Sequence, residues 1–158
     1  MSAPEIRLAR PRDIDELVEM RSDFTFEGFE PAAATVRPGF EEDCRAFLAD
    51  AIAGGRWHIW VAEIERRLVS HAFVALVDKV PRPIRENARI AYLTNVYTRP
   101  AFRGRGIGAA VVRRAQEAAQ EVDVELMIVW PSDESVEFYE REGFEKPDDP
   151  LIWRSPSS

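Results

Sequence analysis

Cysteine is almost missing from this 158-residue chain: Cys44 stands alone, so no internal disulfide can form and a reducing compartment asks for none. Its spacing from Phe40, Phe47, Leu48 and Ile52 places it on the apolar face of a helix, as a packing thiol rather than a nucleophile. Histidine is scarce too. His58 and His71 sit singly within apolar strand-like runs, and no cluster has metal-ligand spacing, so no metal site is expected. There is no uninterrupted stretch of ~20 apolar residues to span a bilayer, and Met1-Ser2-Ala3-Pro4-Glu5 lacks the basic start and apolar run of a signal peptide. A cytoplasmic location and no membrane partner are the expectation. Net positive charge is absent as well: the formal net charge of −7 speaks against nucleic acid or anionic lipid as a partner, both of which reward clustered Lys and Arg. It leaves a mild preference for a cationic substrate such as an amine.

What is present is a globular balance, with 46% hydrophobic and 31% charged residues. Without internal repeats or low-complexity tracts, residues 1–158 read as one domain with a frayed tail at 155–158. Ile6 to Ala9 alternates like a short strand. Asp13 then offers an N-cap, with Glu16 completing a capping box ahead of Ile14, Leu17 and Val18. Asp23 to Pro38 reads as a long acidic, aromatic loop. Phe40 to Ile52 has the spacing of a second helix, ended by Gly54-Gly55.

Strands are predicted over Trp57–Glu63 and Leu68–Val77, joined through Glu65-Arg66-Arg67 in a hairpin that lacks the usual Asn-Gly turn. After a charged, proline-bearing loop from Lys79 to Arg89 comes a strand at Ile90–Thr98, a glycine-rich turn, and a helix from about Ile107 to Gln120. Val124 to Trp130 is a nearly continuous apolar run, expected as a strand covered on both faces. A short helix over Ser132–Glu142 and further strands at Phe144–Lys146 and Leu151–Arg154 would finish the sheet. The class is α/β (α+β), a mixed, mostly antiparallel sheet of about six to seven strands with about four helices.

Arg103-Gly104-Arg105-Gly106-Ile107-Gly108 lies between a strand and a helix, where backbone N–H groups can converge on an anion at a helix N-terminus. Alternate glycines let a phosphate approach without Cβ obstruction, and Arg103 and Arg105 add positive charge suited to a pyrophosphate. A P-loop is excluded, because Ala109-Ala110 stands where Lys and Ser or Thr would be needed. Gly104, Gly106 and Ala109 do satisfy the dinucleotide pattern G-x-G-x-x-A, which keeps a nicotinamide-dependent oxidoreductase as an alternative. The run Thr98 to Phe102 nevertheless intervenes, so the first glycine does not follow the strand at once, and no second βαβαβ half remains.

The run Tyr97-Thr98-Arg99-Pro100-Ala101-Phe102-Arg103-Gly104-Arg105-Gly106-Ile107-Gly108 resembles the coenzyme A pyrophosphate motif of the GCN5-related N-acetyltransferases, the GNAT family. Phe138-Tyr139-Glu140-Arg141-Glu142-Gly143-Phe144 resembles that family's F/L-Y-x-x-x-G-F signature. The resemblance implies the acyl-CoA N-acyltransferase fold, acetyl-CoA as cosubstrate, and acetyl transfer to a primary amine of a small molecule or peptide. It implies that the segment Tyr97 to Ala109 forms the cofactor site, with backbone amides at Arg103, Gly104, Arg105, Gly106, Ile107 and Gly108 on the pyrophosphate. Val96 and Thr98 would pair with the pantetheine arm, and the Val96 N–H would face the thioester carbonyl.

By the same resemblance Tyr139 is the general acid for the departing thiolate, and Ser132 takes the place of an Asn that contacts the pantetheine arm. Many relatives carry a Glu base near Thr94 or Asn95, whereas this chain has no carboxylate there. Glu27, Glu30 and Asp78 are the other carboxylates considered for a base. The loops Asp23–Pro38 and Lys79–Arg89 and the Trp153 region would line the acceptor side. The missing carboxylate keeps open a coenzyme A binding module without catalysis, and members often dimerise, so a homodimer is among the implied partners.

Overall fold

The computed structural model describes residues 2–33, 35–84 and 89–156. Five strands, β1 (Glu5–Leu8), β2 (Trp57–Ile64), β3 (Arg67–Asp78), β4 (Arg89–Thr98) and β5 (Val124–Val129), form one sheet in the order β1-β2-β3-β4-β5. The first four run antiparallel and β5 joins β4 in parallel. A parallel neighbour needs a crossover, which the helix α3 (Ile107–Glu121) supplies. Helices α1 (Ile14–Phe26) and α2 (Phe40–Ala53) precede the sheet's long strands, and α4 (Val136–Arg141) follows β5.

The two-residue period of the strands sorts side chains onto two faces. Ile59, Val61, Leu68, Phe73 and Tyr97 pack with Leu17, Val18 and Met20 of α1 and Leu48 and Ala51 of α2. Trp60, Ala62, Val74, Ala91 and Leu93 face the other way, against Ile107, Val111, Val112 and Ala115 of α3 and Tyr139 of α4.

Several boundaries differ from those expected. The strands predicted at Phe144–Lys146 and Leu151–Arg154 do not form, so the described residues hold five strands rather than six or seven. Leu151 and Trp153 are exposed instead of paired. Consequently β5 is the sheet edge, and its Leu126 is exposed, so the apolar run there is not covered on both faces. Helix α1 continues through Phe26, which takes Asp23 to Phe26 out of the predicted loop.

The predicted capping box at Asp13 is absent, because its carboxylate is used elsewhere. It accepts from Arg7 (2.7 and 3.0 Å) and from the Arg10 backbone N–H (2.7 Å), while Glu16 accepts from the Leu68 N–H (2.9 Å) and reaches Arg99 (3.3 Å). Burial opposes ionisation of Asp13, but the Arg7 guanidinium and the Arg10 amide outweigh it and hold the carboxyl below its ordinary range. The β2–β3 hairpin forms with only Glu65 and Arg66 in its loop, at φ of 50° and 67°. A two-residue primed turn requires such angles, and side chains other than Gly or Asn adopt them at a cost. Residues 85–88 of the second expected loop, and 157–158 of the tail, lie outside the described residues.

Candidate active site

One extra residue in β4 organises the region. Between the pairs His71 with Tyr97 and Phe73 with Thr94, Ala72 faces both Asn95 and Val96, and Asn95 takes a left-handed φ of 50°. The bulge is held from below by His71, which is fully buried: its Nδ1 lies 2.7 Å from the Asn95 carbonyl oxygen. A carbonyl can only accept, so Nδ1 carries a proton. Burial pulls the His71 pKa down to about 4, so the ring is neutral at neutral pH.

Beyond the bulge the sheet opens. The β4–β5 ladder ends at Leu93 with Val129, leaving Thr94 to Thr98 without a neighbour in β5. Next to this gap, Gly104 and Gly106 adopt φ of 73° and 75°, and a Cβ on either would meet nothing within 4 Å. Gly106 is the N-cap of α3, and no side chain caps that helix, so its first-turn N–H groups are left to an incoming acceptor. Gly108 packs where only a hydrogen fits, since a Cβ there would lie 2.9 Å from Thr98 Oγ1. Open, left-handed glycines at an uncapped helix start beside a split sheet fit the pyrophosphate and extended arm of coenzyme A.

The side chains around this turn brace it. Arg103 donates from Nε to the Thr98 carbonyl (2.8 Å) and forms a two-pronged pair with Glu27 at the end of α1 (2.9 Å to Oε2), its guanidinium 5.6 Å from the Tyr97 ring. Arg99, buried at the end of β4, donates to the Leu68 carbonyl (2.8 Å) and reaches Glu16 and Asp23 of α1. Arg105 lies 5.6 Å from the Phe102 ring. Tyr97 stacks on Phe24 (5.1 Å) within the α1–α2 core, so only its backbone faces the strand edge, whereas Val96 packs on the α3 face. Ile107 is buried under the turn, and Ala109 and Thr98 are half-buried.

Tyr139 belongs to the same buried cluster as Val96, with its ring edge-on to Phe138 (5.0 Å) and Phe144 (5.5 Å). Burial pushes its phenol up to about 12, so it is protonated at neutral pH. Ser132 is exposed and donates to Ser135 Oγ (3.0 Å), in a 3-10 turn over Asp133–Ser135 that replaces the first part of the expected helix.

On the α1–α2 face a cleft of about 360 Å³ opens onto the bulge at Thr94 and Asn95. Its walls are Leu17, Phe40, Phe47, Leu48, Trp57 and Phe73, with Cys44 half-buried among them and Arg21, Arg37 and Asp43 at its polar parts. Burial raises the Cys44 thiol, which keeps it protonated. Of the segments expected on the acceptor side, the first contributes Arg37. Neither the described part of Lys79–Arg89 nor Trp153 lines this cleft.

The carboxylates considered for a base are spoken for or distant. Arg103 holds Glu27 below its usual range and Arg89 pairs with Asp78 (3.0 Å), while Glu30 is exposed and does not line the cleft. Sequence reading gave no role to Arg21, an exposed residue of α1 without a motif, nor to Asn95 and His71, for which the only signal was a polar residue within an apolar strand. Among the described residues no group of three or more His, Cys, Asp or Glu could hold a metal, and no helix is long and apolar enough to cross a membrane.

The family model of the acetyltransferase (GNAT) domain matches residues 55–146, which include the bulge, the glycine turn and Tyr139. The chain belongs to the GNAT family of acetyl-CoA-dependent acyltransferases. This GNAT domain is 36% identical over 64 residues to an uncharacterized N-acetyltransferase of Methanocaldococcus jannaschii, a match covering 39% of the chain and 28% of that relative's length. It is similar to the crystal structure of a protein described as a predicted acetyltransferase, with acetyl-CoA, from Clostridium acetobutylicum. There the TM-score is 0.76 at 26% identity, covering 96% of each chain. Glucosamine-6-phosphate N-acetyltransferase from Arabidopsis thaliana shares the fold at TM-score 0.74 and 18% identity, covering 97% of this chain and 99% of that one.

Proposed function

We propose that residues 1–158 act as a single N-acetyltransferase domain that moves an acetyl group from acetyl-CoA to a primary amine by direct attack, both substrates being bound together. The observation that carries this reading is the pair of left-handed glycines, Gly104 and Gly106, leading into the uncapped start of α3 beside the β4–β5 gap.

Acetyl-CoA, when bound, supplies an acyl carbon activated toward a neutral amine and leaves as a thiol. The N–H groups of residues 103 to 108 bind the pyrophosphate, with Tyr97 and Ala109 bounding the segment, and the exposed edge at Val96 and Thr98 accepts the pantetheine arm. The Val96 N–H, turned by the bulge, donates to the acyl oxygen as charge develops there. The Tyr139 phenol gives its proton to the sulfur as the C–S bond breaks, and the amine's proton passes to water, because Asp43, the one carboxylate lining the cleft at the bulge, is paired with Arg37. Ser132 is near enough in sequence to the α4 start to meet the arm through its hydroxyl.

The test is thiol release from acetyl-CoA with an amine panel. Tyr139→Phe should lower kcat roughly 100-fold with the acetyl-CoA KM unchanged. Undiminished turnover in that variant would remove Tyr139 from the reaction. The missing base favours a second reading, a coenzyme A binding module, for which coenzyme A binds and no amine releases thiol. The cytoplasm is the compartment this reading takes, in keeping with a single unpaired cysteine. Self-association through the open β5 edge, where Leu126 and Trp130 are exposed, is the homodimer it allows, and sedimentation of the intact chain tests it.

A further inference from the structure

The cleft on the α1–α2 face has an asymmetric charge. Arg37 is neutralised by Asp43 at 2.7 Å. Arg21 is not neutralised: its Nη1 donates to the Asn95 side-chain oxygen at 3.0 Å, its guanidinium lies 6.0 Å from the Phe24 ring, and among the described residues no carboxylate pairs with it. A guanidinium has five N–H donors in a fixed fork, so the contact with Asn95 leaves others for a two-pronged acceptor. Its field already acts inside the cleft, where it opposes the burial-driven rise of the Cys44 thiol. The chain's overall charge of −7 therefore misdescribes this place: the one unbalanced charge among the cleft's lining residues is positive.

The remaining wall is aromatic. Phe47 meets Trp57 edge-on at 5.3 Å, Trp57 meets Phe73 at 6.3 Å, and Phe40, Leu17 and Leu48 complete the surface. Phe47 is nonetheless 44% exposed, apolar area that an occupant would cover. A volume of about 360 Å³ suits one small molecule rather than a folded partner. Arg21 reaches Asn95 itself, so a group held by Arg21 sits beside the bulge residue that precedes Val96.

We propose that this cleft takes an amine whose α-carbon also bears a carboxylate and a large apolar side chain, as a free aromatic or long aliphatic amino acid does. Arg21 binds the carboxylate, the Phe47–Trp57–Phe73 wall takes the side chain, and the amine is presented to the bulge. A polyamine or an aminoglycoside, with several positive charges and little apolar surface, is disfavoured by both features. A peptide N-terminus supplies the amine and side chain but replaces the carboxylate by an amide, which leaves Arg21 unmatched. The proposal rests on the acetyl-transfer reading and names its acceptor class.

The test compares phenylalanine, phenylalanine amide and spermidine in thiol release at saturating acetyl-CoA, with the wild type and Arg21→Gln. Phenylalanine should exceed the amide at least tenfold in kcat/KM in the wild type, with spermidine the poorest. In R21Q the ratio of phenylalanine to its amide should fall to near one, while the KM for acetyl-CoA stays as in the wild type. An amide or spermidine turned over as well as phenylalanine overturns the proposal, as does an unchanged ratio in R21Q. If acetyl-CoA binds but none of the amines releases thiol, the acetyl-transfer reading fails by itself. Calorimetric titration then reads the cleft directly: binding of phenylalanine that needs both its carboxylate and Arg21 sustains the proposal, and its absence overturns it.

Discussion

The turn proposed to face the donor and the cleft proposed to face the acceptor share the β4 bulge and are built from different materials. The donor side is made of peptide groups: two glycines at positive φ, a helix start with no capping side chain, and a strand edge without a neighbour. The acceptor side is made of side chains from α1, α2, β2, β3 and β4, gathered across half the chain. A site made of backbone constrains residue type at fixed spacing, whereas a site made of side chains can change its chemistry one residue at a time without disturbing the fold.

The sharpest way to break this division is to attack what both sides share. His71, with its pKa held near 4 against an ordinary 6.5, lowers the stability of the fold when protonated. Its stabilising contribution is complete above pH 6.5 and is lost as pH falls toward 4, a loss of about 2 kcal/mol between pH 7 and 4.5. Urea unfolding across that window should show the slope, and His71→Asn should flatten it, since its amide can still donate to Asn95 but does not titrate.

On the donor side alone, Gly106→Val forces a branched residue into a left-handed conformation and sets carbon where the anion approaches. Acetyl-CoA affinity should fall roughly 100-fold by calorimetry while the acceptor cleft is untouched. On the acceptor side alone, Phe47→Ala should raise the amine KM about five- to tenfold and leave the acetyl-CoA KM as it was, by steady-state kinetics. The smallest effect is expected at Glu27→Gln, which loosens Arg103. That pair is partly exposed, so the change is worth no more than about 1 kcal/mol, read as up to about a fivefold weakening for acetyl-CoA.

The same contrast explains which parts of the molecule are legible in its sequence. The glycines around Arg105 and the Phe138 to Phe144 signature sit in contiguous residues, and it is their joint resemblance to the GNAT motifs that points to the donor, since the glycine spacing alone also satisfies a dinucleotide pattern. The long helices and the central strands follow from their periodicity. The missing edge strands do not: Phe144 to Lys146 and Leu151 to Arg154 look like strands by residue type, and only the absence of a partner beyond β5 decides otherwise. Asp13 and Glu16 have the pattern of a capping box, yet both are drawn into ion pairs and amide contacts with Arg7, Arg99 and Leu68, partners distant enough that no local rule includes them. Arg21 carries no motif at all. Its importance comes from its neighbours in α2 and β4, and the acidic whole-chain charge points the other way.

The sheet order has a consequence for how the molecule assembles. Every strand lies next to the strand that precedes it in the chain, so β2, β3 and β4 can zip together through nearby residues without waiting for the C-terminal third. During synthesis the strand bearing the bulge is therefore available, already hydrogen-bonded on its β3 side, before the glycine turn, α3 and β5 leave the ribosome. The parallel strand β5 docks last and onto one edge only, while α3 packs across the face formed by β2, β3 and β4. Partial unfolding should peel away α3, β5 and α4 together, removing the donor turn and Tyr139 in one step and leaving an antiparallel β1–β4 remnant behind.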